Sequence, residues 1–425
     1  MADTTVLGAA NGVTELTDGL HGIYWTTNLI GALIIDDINA DVAAMKTTDG
    51  GATWGAGVAV EAGENRHLGC WFDRQTVGNT GTKVHCVWID SLDDEVKYAA
   101  FDIAAGTWSA VKTVATSVAP NDIDLIHNGV AITVARSGRI VLGWSNSLTA
   151  VGSAESTDSG ANFAAITSIF EASSPADHAR GAPCNTGDNA DAAFIYWDSS
   201  ADELSVKVHD DSADTVTETS ISTGMVDSQS YMSQMSVTTR LSDGHALVAA
   251  WNTSDQVTSD LKTWDITIDS VSAPTITATA DVLTDQAEST SAAIFVNNQS
   301  DDVYVAYATG TAASSLVAVF YKKSTDDMAT WGLQTAMQED AEDDHRMVRV
   351  GAMGINQGGR FQPVWFDDDD IDIFSNLTND IEFAPIAGGK GSGGKGKGGS
   401  GPGQPPKKAL RTSVGKWRWE GRGWR

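Results

Sequence analysis

One short motif recurs seven times in the first 385 residues: a β-prone run ends in an aromatic residue and leads into a polar turn rich in Asp, Asn and Ser. Successive aromatic residues lie 53 to 63 residues apart. Four short strands per repeat of this length are typical of a propeller blade, which needs neighbours to bury both faces of its sheet. The aromatic positions are Trp25, Trp88, Trp144, Trp197, Trp251, Tyr307 and Trp365.

The repeat predicts an all-β fold, an about seven-bladed β-propeller with four-stranded antiparallel blades, plus an extended C-terminal tail. We find no helical periodicity before the tail. A pair of β-sandwiches and a parallel β-helix are the competing folds. A sandwich pair does not need evenly spaced copies of one motif, and the coils of a β-helix are much shorter than this period. The segment Thr4 to Leu7 is a candidate to complete the last blade and close the ring.

Charge divides the chain into an acidic body and a basic tail. After residue 387 there are ten Lys and Arg against Glu420 alone, which leaves 17 basic and 55 acidic residues before it. So acidic a body repels phosphate, and this argues against nucleic-acid binding by the propeller. The predicted divisions are 1–385 for the propeller, 386–409 for a Gly/Lys/Pro-rich linker and 410–425 for a Trp/Arg-rich docking peptide.

The last residues of the tail alternate tryptophan with arginine and lysine. Tryptophan and arginine are the residues that most often anchor interfaces. We therefore interpret this segment as a docking peptide for another protein subunit, with nucleic acid, an anionic membrane or a merely solubilising role as alternatives. The predicted docking residues are Trp417, Arg418, Trp419, Arg422, Trp424 and Arg425.

The sequence predicts neither a cofactor nor a metal site. Its three cysteines, Cys70, Cys86 and Cys184, lack the spacing of a metal site or a disulfide framework and are interpreted as buried free thiols. No apolar run is long enough to span a bilayer, and the N-terminus has no signal-peptide pattern. We expect the protein to be made in a cytoplasm without a classical export signal.

Three repeats share an octet in which Ser or Thr, Asp, Gly and an aromatic residue keep fixed positions. These octets resemble the Asp-box (BNR repeat) of sialidase-like β-propellers. The Asp caps backbone N–H groups of a tight turn, the Gly takes a positive φ, and the aromatic residue fills the space between sheets. The third octet departs from the pattern because Met328 replaces the Gly. The predicted Asp-box residues are Asp49, Gly51, Trp54, Asp158, Gly160, Phe163, Asp326 and Trp331.

Ligand sites of propellers lie where the innermost strands converge at the mouth of the channel. The segments that read as inner strands bring scarce arginines and histidines toward one region, and these residues are candidates to bind a glycan. We assign no residue a catalytic role. The candidates are Arg66, His67, His178, Arg180, Tyr231, Glu288, His345 and Arg346.

The resemblance to sialidases implies three arginines that clamp a carboxylate, together with a Tyr/Glu nucleophile pair. Arg66, Arg180 and Arg346 are the candidates for the clamp, and Tyr231 and Glu288 for the pair. Their positions in the blades do not match the enzyme pattern cleanly. The Arg-Ile-Pro element that opens such enzymes is absent. A polysaccharide lyase, with His as base beside an Arg that neutralises a uronate, is a second enzymatic reading. Mutual pairing of the charged residues inside the channel is the competing structural explanation.

The leading functional hypothesis is a virion-associated structural protein of a tailed bacteriophage, an appendage or decoration protein. The C-terminal peptide anchors it to other virion subunits, and the propeller is exposed for host-surface carbohydrate binding or for shell stabilisation. The expected localisation is the virion. The composition of the body, acidic and poor in Lys, resembles that of phage structural proteins from salty surroundings. The alternative is a glycan-active enzyme, a sialidase or polysaccharide lyase.

Overall fold

The computed structural model describes part of the compact unit Met1–Ala387. The predicted linker 386–409 and docking peptide 410–425 lie outside the described residues. The described ranges are 4–7, 20–27, 29–36, 41–62, 65–90, 92–118, 128–146, 151–171, 177–198, 200–225, 235–252, 259–286, 291–311, 314–337, 345–349, 362–367 and 372–375.

After strand β1 (Thr4–Leu7), the chain forms six blades, each an antiparallel sheet of consecutive strands. Blade 1 contains β2 (Leu20–Trp25), β3 (Gly31–Asp36), β4 (Asp41–Thr47) and β5 (Val58–Ala62). Blade 2 contains β6 (Asn65–Phe72), β7 (Lys83–Asp90), β8 (Glu95–Asp102), β9 (Thr107–Trp108) and β10 (Lys112–Thr116). Blade 3 contains β11 (Asn128–Val134), β12 (Ile140–Asn146), β13 (Val151–Ser156) and β14 (Ala164–Ile166).

The second half of the ring repeats this arrangement. Blade 4 contains β15 (His178–Ala182), β16 (Ala192–Asp198), β17 (Glu203–Asp210) and β18 (Thr215–Thr223). Blade 5 contains β19 (Met235–Arg240), β20 (His245–Trp251), β21 (Ser259–Thr267), β22 (Thr275–Ala278) and β23 (Leu283–Gln286). Blade 6 contains β24 (Ser291–Asn297), β25 (Asp302–Thr311), β26 (Ser314–Ser324) and β27 (Thr335–Ala336).

A further four-stranded sheet joins the two ends of the unit, and we call it the closing sheet. It contains β28 (His345–Arg349), β29 (Val364–Asp367) and β30 (Asp372–Ser375), with β1 paired antiparallel to β30 as its outermost strand. The pairing of β1 confirms the prediction that Thr4 to Leu7 closes the ring. The prediction of about seven blades is wrong, because consecutive strands complete six blades and the closing sheet takes its strands from both chain ends.

The hydrophobic core lies between the blades rather than within any one of them. Each apolar cluster joins neighbours: blades 1 and 2, 2 and 3, 3 and 4, 4 and 5, and 5 and 6, while the last cluster joins blade 6 and the closing sheet to blade 1. A strand in the middle of a blade is therefore buried on both faces, and every residue of β16 is buried. Such strands carry continuous apolar runs instead of a simple alternation.

The aromatic repeat marks the second strand of a blade, with one exception. Trp88, Trp144, Trp197, Trp251, Tyr307 and Trp365 lie on the second strands of blades 2 to 6 and of the closing sheet. Trp25 lies on the innermost strand of blade 1 instead, so the first of the six intervals did not compare equivalent positions. Its ring covers Gly31, where an added Cβ would lie 2.7 Å from Trp25 Cε3.

Three turns between the third and fourth strands share one hydrogen-bond pattern, and we call them the aspartate turns. In the first, Asp49 accepts hydrogen bonds at Oδ1 from Thr53 N (2.9 Å) and at Oδ2 from Thr53 Oγ1 (2.6 Å), while Gly51 N donates to Thr47 Oγ1 (2.9 Å). The hydrogen bonds from Thr53 lower the pKa of Asp49 to about 2. Asp158 and Asp326 accept equivalent bonds from Asn162 and Thr330.

Each aspartate turn packs against the preceding sheet of the ring. An added Cβ on Gly51 would lie 2.7 Å from the Gln362 amide of the closing sheet, and one on Gly160 would lie 2.3 Å from Tyr98 of blade 2. Met328, at the same position of the third turn, has a positive φ of 60° and is fully buried against blade 5. In the third turn, the contact with blade 5 therefore accommodates the Met328 side chain at the position that glycine occupies in the other two turns. The aromatic residues Trp54, Phe163 and Trp331 are partly buried in the same contacts.

Replacing Met328 by Ala removes most of a buried side chain between blades 5 and 6 and keeps the positive φ. We expect the free energy of unfolding to fall by about 2–5 kcal/mol, the usual cost of such a truncation. Urea denaturation followed by tryptophan fluorescence measures it. Leu333→Ala is the matched control, since Leu333 in the same turn is 93% exposed. An equal loss in both variants would show that the turn does not hold the two blades together.

Candidate functional site

The innermost strands begin at the end of the propeller opposite the aspartate turns. The first and third strands of an antiparallel blade run in the same direction, so the turn after the third strand lies far from the start of the first. His67 lies near the start of β6, and His178 and Arg180 lie at the start of β15. The segments interpreted as inner strands overlap β6, β11, β15, β19, β24 and β28, each of which is the innermost strand of its sheet.

Two adjoining cavities lie among the inner strands of blades 1 to 5. The larger, of about 70 Å³, is bordered by residues of β2, β6, β11, β15 and β19, including His21, Cys70 and Thr238. The smaller, of about 10 Å³, lies between β6, β11 and β15 and is bordered by His67 and His178. Arg180 borders both cavities. The structure therefore brings three of the predicted glycan-binding residues, His67, His178 and Arg180, to one place.

Glycines allow these inner strands to approach each other closely. An added Cβ on Gly181 would lie 2.2 Å from the carbonyl oxygen of Ile132, and one on Gly129 would lie 2.8 Å from that of Asp177. No side chain larger than hydrogen fits either gap without moving the backbone. The glycines thus fix the spacing of β11 and β15, and with it the distance across the smaller cavity.

His67 occupies a bulge in β6. The strand register shifts between Arg66 and Leu68, and His67 has a positive φ of 55° while only 2% of its surface is exposed. A bulge redirects a side chain relative to the regular pleat, and a left-handed histidine stores strain that the surrounding structure must offset. His67 thus borders the smaller cavity, beside β11 and β15, from a position that the bulge displaces from the regular pleat.

A chain of buried contacts supports the start of β15. The Tyr196 hydroxyl donates a hydrogen bond to Asp177, which is 1% exposed and precedes His178. Lys207 Nζ lies 3.3 Å from the centre of the Tyr196 ring and 2.9 Å from Glu171 Oε1. Burial, followed by the neighbouring Asp177, raises the pKa of Tyr196 far above its usual value. Tyr196 stays protonated and holds Asp177, which fixes the backbone that carries His178.

The other predicted site residues are placed only in part. Arg66 pairs with Ile89 in the ladder of blade 2, and His345 and Arg346 begin β28 of the closing sheet, opposite Asp367 and Phe366. Only the backbone of these three is described. Tyr231 and Glu288 lie outside the described residues. The proposed Tyr/Glu pair and the full arginine clamp therefore stay predictions.

Sequence reasoning missed the contribution of blade 1. His21 borders the larger cavity and its Nε2 lies 2.6 Å from the carbonyl oxygen of Leu68 in blade 2. The signal was available: a histidine with a glycine one to three residues later opens the inner strands of blades 1, 2 and 4, at His21, His67 and His178. The support from Tyr196 and Lys207 had no comparable signature, because both residues lie on middle strands of the blade.

Among the described residues, no group of three or more His, Cys, Asp or Glu is arranged to hold a metal ion. No helix in the described part of the chain is long and apolar enough to cross a membrane. What the site offers is a guanidinium beside two imidazoles, in cavities whose described lining contains no carboxylate side chain. Such a set can bind hydroxyl and carboxylate oxygens.

Comparison with known proteins gives a fold but no family. No protein-family model and no curated protein matches the sequence. A lectin from Burkholderia pseudomallei is similar in structure, with a TM-score of 0.52 and 9% identity over 72% of this chain and 81% of the lectin. The leech intramolecular trans-sialidase has a TM-score of 0.50 and 10% identity over 77% of this chain and 71% of that protein. An ulvan lyase has a TM-score of 0.49 and 10% identity over 88% of this chain and 94% of that one. The first two likenesses confirm an all-β propeller with structural neighbours among sialidase-like and carbohydrate-binding proteins.

Tyr196→Phe removes the hydroxyl donor and leaves Asp177 with one hydrogen bond fewer in a buried place. We expect the free energy of unfolding to fall by about 1–3 kcal/mol, the cost of a buried acceptor that loses its partner. Chemical denaturation measures it. Tyr307→Phe is the control, because the buried Tyr307 hydroxyl has no hydrogen-bond partner among the described residues, and its removal should be neutral. Equal effects would refute a specific role for the Tyr196 hydroxyl.

Proposed function

We propose that the propeller binds a saccharide carrying an acidic group at the end of the channel bordered by His67, His178 and Arg180. The observation that carries the proposal is electrostatic. The body has 55 acidic against 17 basic residues before the tail, yet the described lining of both cavities contains Arg180 and three histidines and no acidic side chain. A guanidinium matches a carboxylate or sulfate in both charge and geometry.

The cavities themselves are too small for a sugar ring, so the saccharide rests on the channel end with its acidic group directed at Arg180. The glycine-spaced strands and the Asp177–Tyr196 contact keep the cationic group in place before the ligand arrives, which lowers the ordering cost of binding. The likeness to a lectin and to a trans-sialidase supports saccharide recognition by a propeller of this kind.

We place binding without turnover first, because the described residues offer groups that bind acidic oxygens, Arg180 beside His67 and His178. A sialidase or lyase mechanism also requires an acid and a base at the reacting atoms. Tyr231 and Glu288, the nucleophile pair that the sialidase resemblance implies, lie outside the described residues. Glycan-active enzymes remain the second candidate, and release of product from an acidic polysaccharide is the result that would favour them.

We further propose that the three aspartate turns are Asp-boxes and that the chain is a virion appendage anchored by its basic tail. The first rests on the shared hydrogen bonds of Asp49, Asp158 and Asp326, and the second on the change of charge and composition near residue 386. A head that meets host-surface saccharide and a short basic anchor suit a particle released by lysis.

The binding proposal is tested by a glycan array that includes uronate, sialylated and sulfated saccharides, followed by calorimetry with the full chain. We expect Arg180→Ala to weaken binding of the acidic saccharide by at least about tenfold, and Arg180→Lys to weaken it less. Arg139→Ala is the control, since Arg139 pairs with Glu155 and Asp211 at the opposite end of the propeller. Unchanged affinity in Arg180→Ala, or no saccharide bound, would refute the proposal.

The anchoring proposal predicts that deletion of residues 386–425 abolishes incorporation into particles while the far-ultraviolet circular dichroism of the propeller is unchanged. A chain with Trp417, Trp419 and Trp424 replaced by Ala keeps the charge of the tail and tests whether the tryptophans are the anchors. Retention of the truncated chain on purified particles would contradict the proposal.

A further inference from the structure

The outermost strand of blade 4 differs from its counterparts. Strand β18 has nine residues and pairs with β17 along its whole length. The other described outermost strands, β1, β5, β9, β10, β14, β22, β23 and β27, have two to five residues. Short edges protect a propeller from pairing with other chains, because each exposed edge presents unpaired N–H and C=O groups. Blade 4 lacks this protection.

The composition of β18 also favours pairing. The strand reads TVTETSIST: six of its nine residues are β-branched, and it contains no proline, glycine or lysine. Proline and lysine are the residues that natural edges use against association, and β-branched residues are favoured in strands. Within the described part of the protein, no strand lies beyond β18 in the sheet of blade 4.

Glu218 is the only charged residue of the strand, and its side chain contacts residues of its own blade. Its Oε1 accepts a hydrogen bond from Ser205 Oγ (2.5 Å), and its Oε2 lies 3.7 Å from Lys207 Nζ. In a body with so large an excess of acidic residues, β18 therefore offers a second copy an edge with a single charged side chain.

We propose that two copies of this chain pair through β18, antiparallel and about a two-fold axis at Thr219. Identical strands related by such an axis form a self-complementary interface. Centring at Thr219 places Glu218 opposite Ser220, and Thr217 opposite Ile221. A register centred at Glu218 would instead oppose two carboxylates, which is unfavourable. The pairing doubles blade 4 into one eight-stranded sheet and satisfies the outward backbone groups of both edges.

The dependence on salt concentration distinguishes this dimer from association through the tail. The two acidic bodies repel each other, so screening strengthens a dimer held by backbone hydrogen bonds. Docking of the basic tail onto the acidic body of another copy depends on attraction and weakens with salt. Sedimentation velocity of the full chain in 0.1 M and 1 M sodium chloride distinguishes the two, and we expect a concentration-dependent dimer that is tighter at the higher salt.

A charge-swap pair tests the register. Thr219→Lys and Thr219→Asp each place like charges opposite one another, and we expect each to weaken the dimer by at least about tenfold. Mixing the two variants should restore it as a heterodimer at low salt. Thr277→Lys on the short strand β22 is the control, since Thr277 is exposed on another edge, and it should leave the dimer unchanged. Circular dichroism verifies that each variant is folded.

A wild-type chain that stays monomeric to millimolar concentration overturns the proposal, as does a dimer that dissociates in 1 M salt. A dimer indifferent to both Thr219 variants overturns it as well, because another surface would then hold the copies together. Loss of the dimer in both variants with recovery in the mixture supports it.

Discussion

Each blade has apolar residues on both faces of its sheet, so a blade is stable only with a neighbour on either side. The clusters between consecutive blades satisfy this condition five times around the ring, and a sixth cluster, of blade 1, blade 6 and the closing sheet, completes it. The backbone pairing of β1 with β30 connects the two chain ends within that last sheet. The cavities and the aspartate turns depend on this closed ring, since each of them is formed between neighbouring blades.

The same packing explains the site. Inner strands converge at the axis, and side chains there compete for space, so glycines such as Gly129 and Gly181 let β11 and β15 come together. Only a few polar side chains then fit between the strands, and they are held by buried contacts such as that of Tyr196 with Asp177. Close packing that is needed for closure thus also orients Arg180 and the two histidines. The packing that closes the ring therefore also positions the groups of the proposed binding site.

Much of the fold was predictable because the aromatic repeat is a packing requirement: a large ring on the second strand fills the space between two blades. Trp25 is the exception, since its ring lies on the innermost strand, over Gly31, and packs in the core between blade 1, blade 6 and the closing sheet. The site was predictable only where polar residues stand at strand starts, as His178 and Arg180 do. The bulge at His67 and the contact of Tyr196 with Asp177 depend on the register of neighbouring strands within a blade, which no local pattern in the sequence encodes.

The closing sheet has a consequence for how the protein is made. Strands β1 and β30 are separated by nearly the whole unit, so their pairing is about as non-local as a contact in this chain can be, and contacts of that kind form late. Blade 1 emerges first from the ribosome, yet the face formed by Ile23, Leu33 and Met45 is covered only by blade 6 and the closing sheet. That face stays uncovered throughout synthesis of the blades between. The nascent chain is therefore a row of blades whose first blade exposes an apolar face. The ring closes only when translation has passed residue 375.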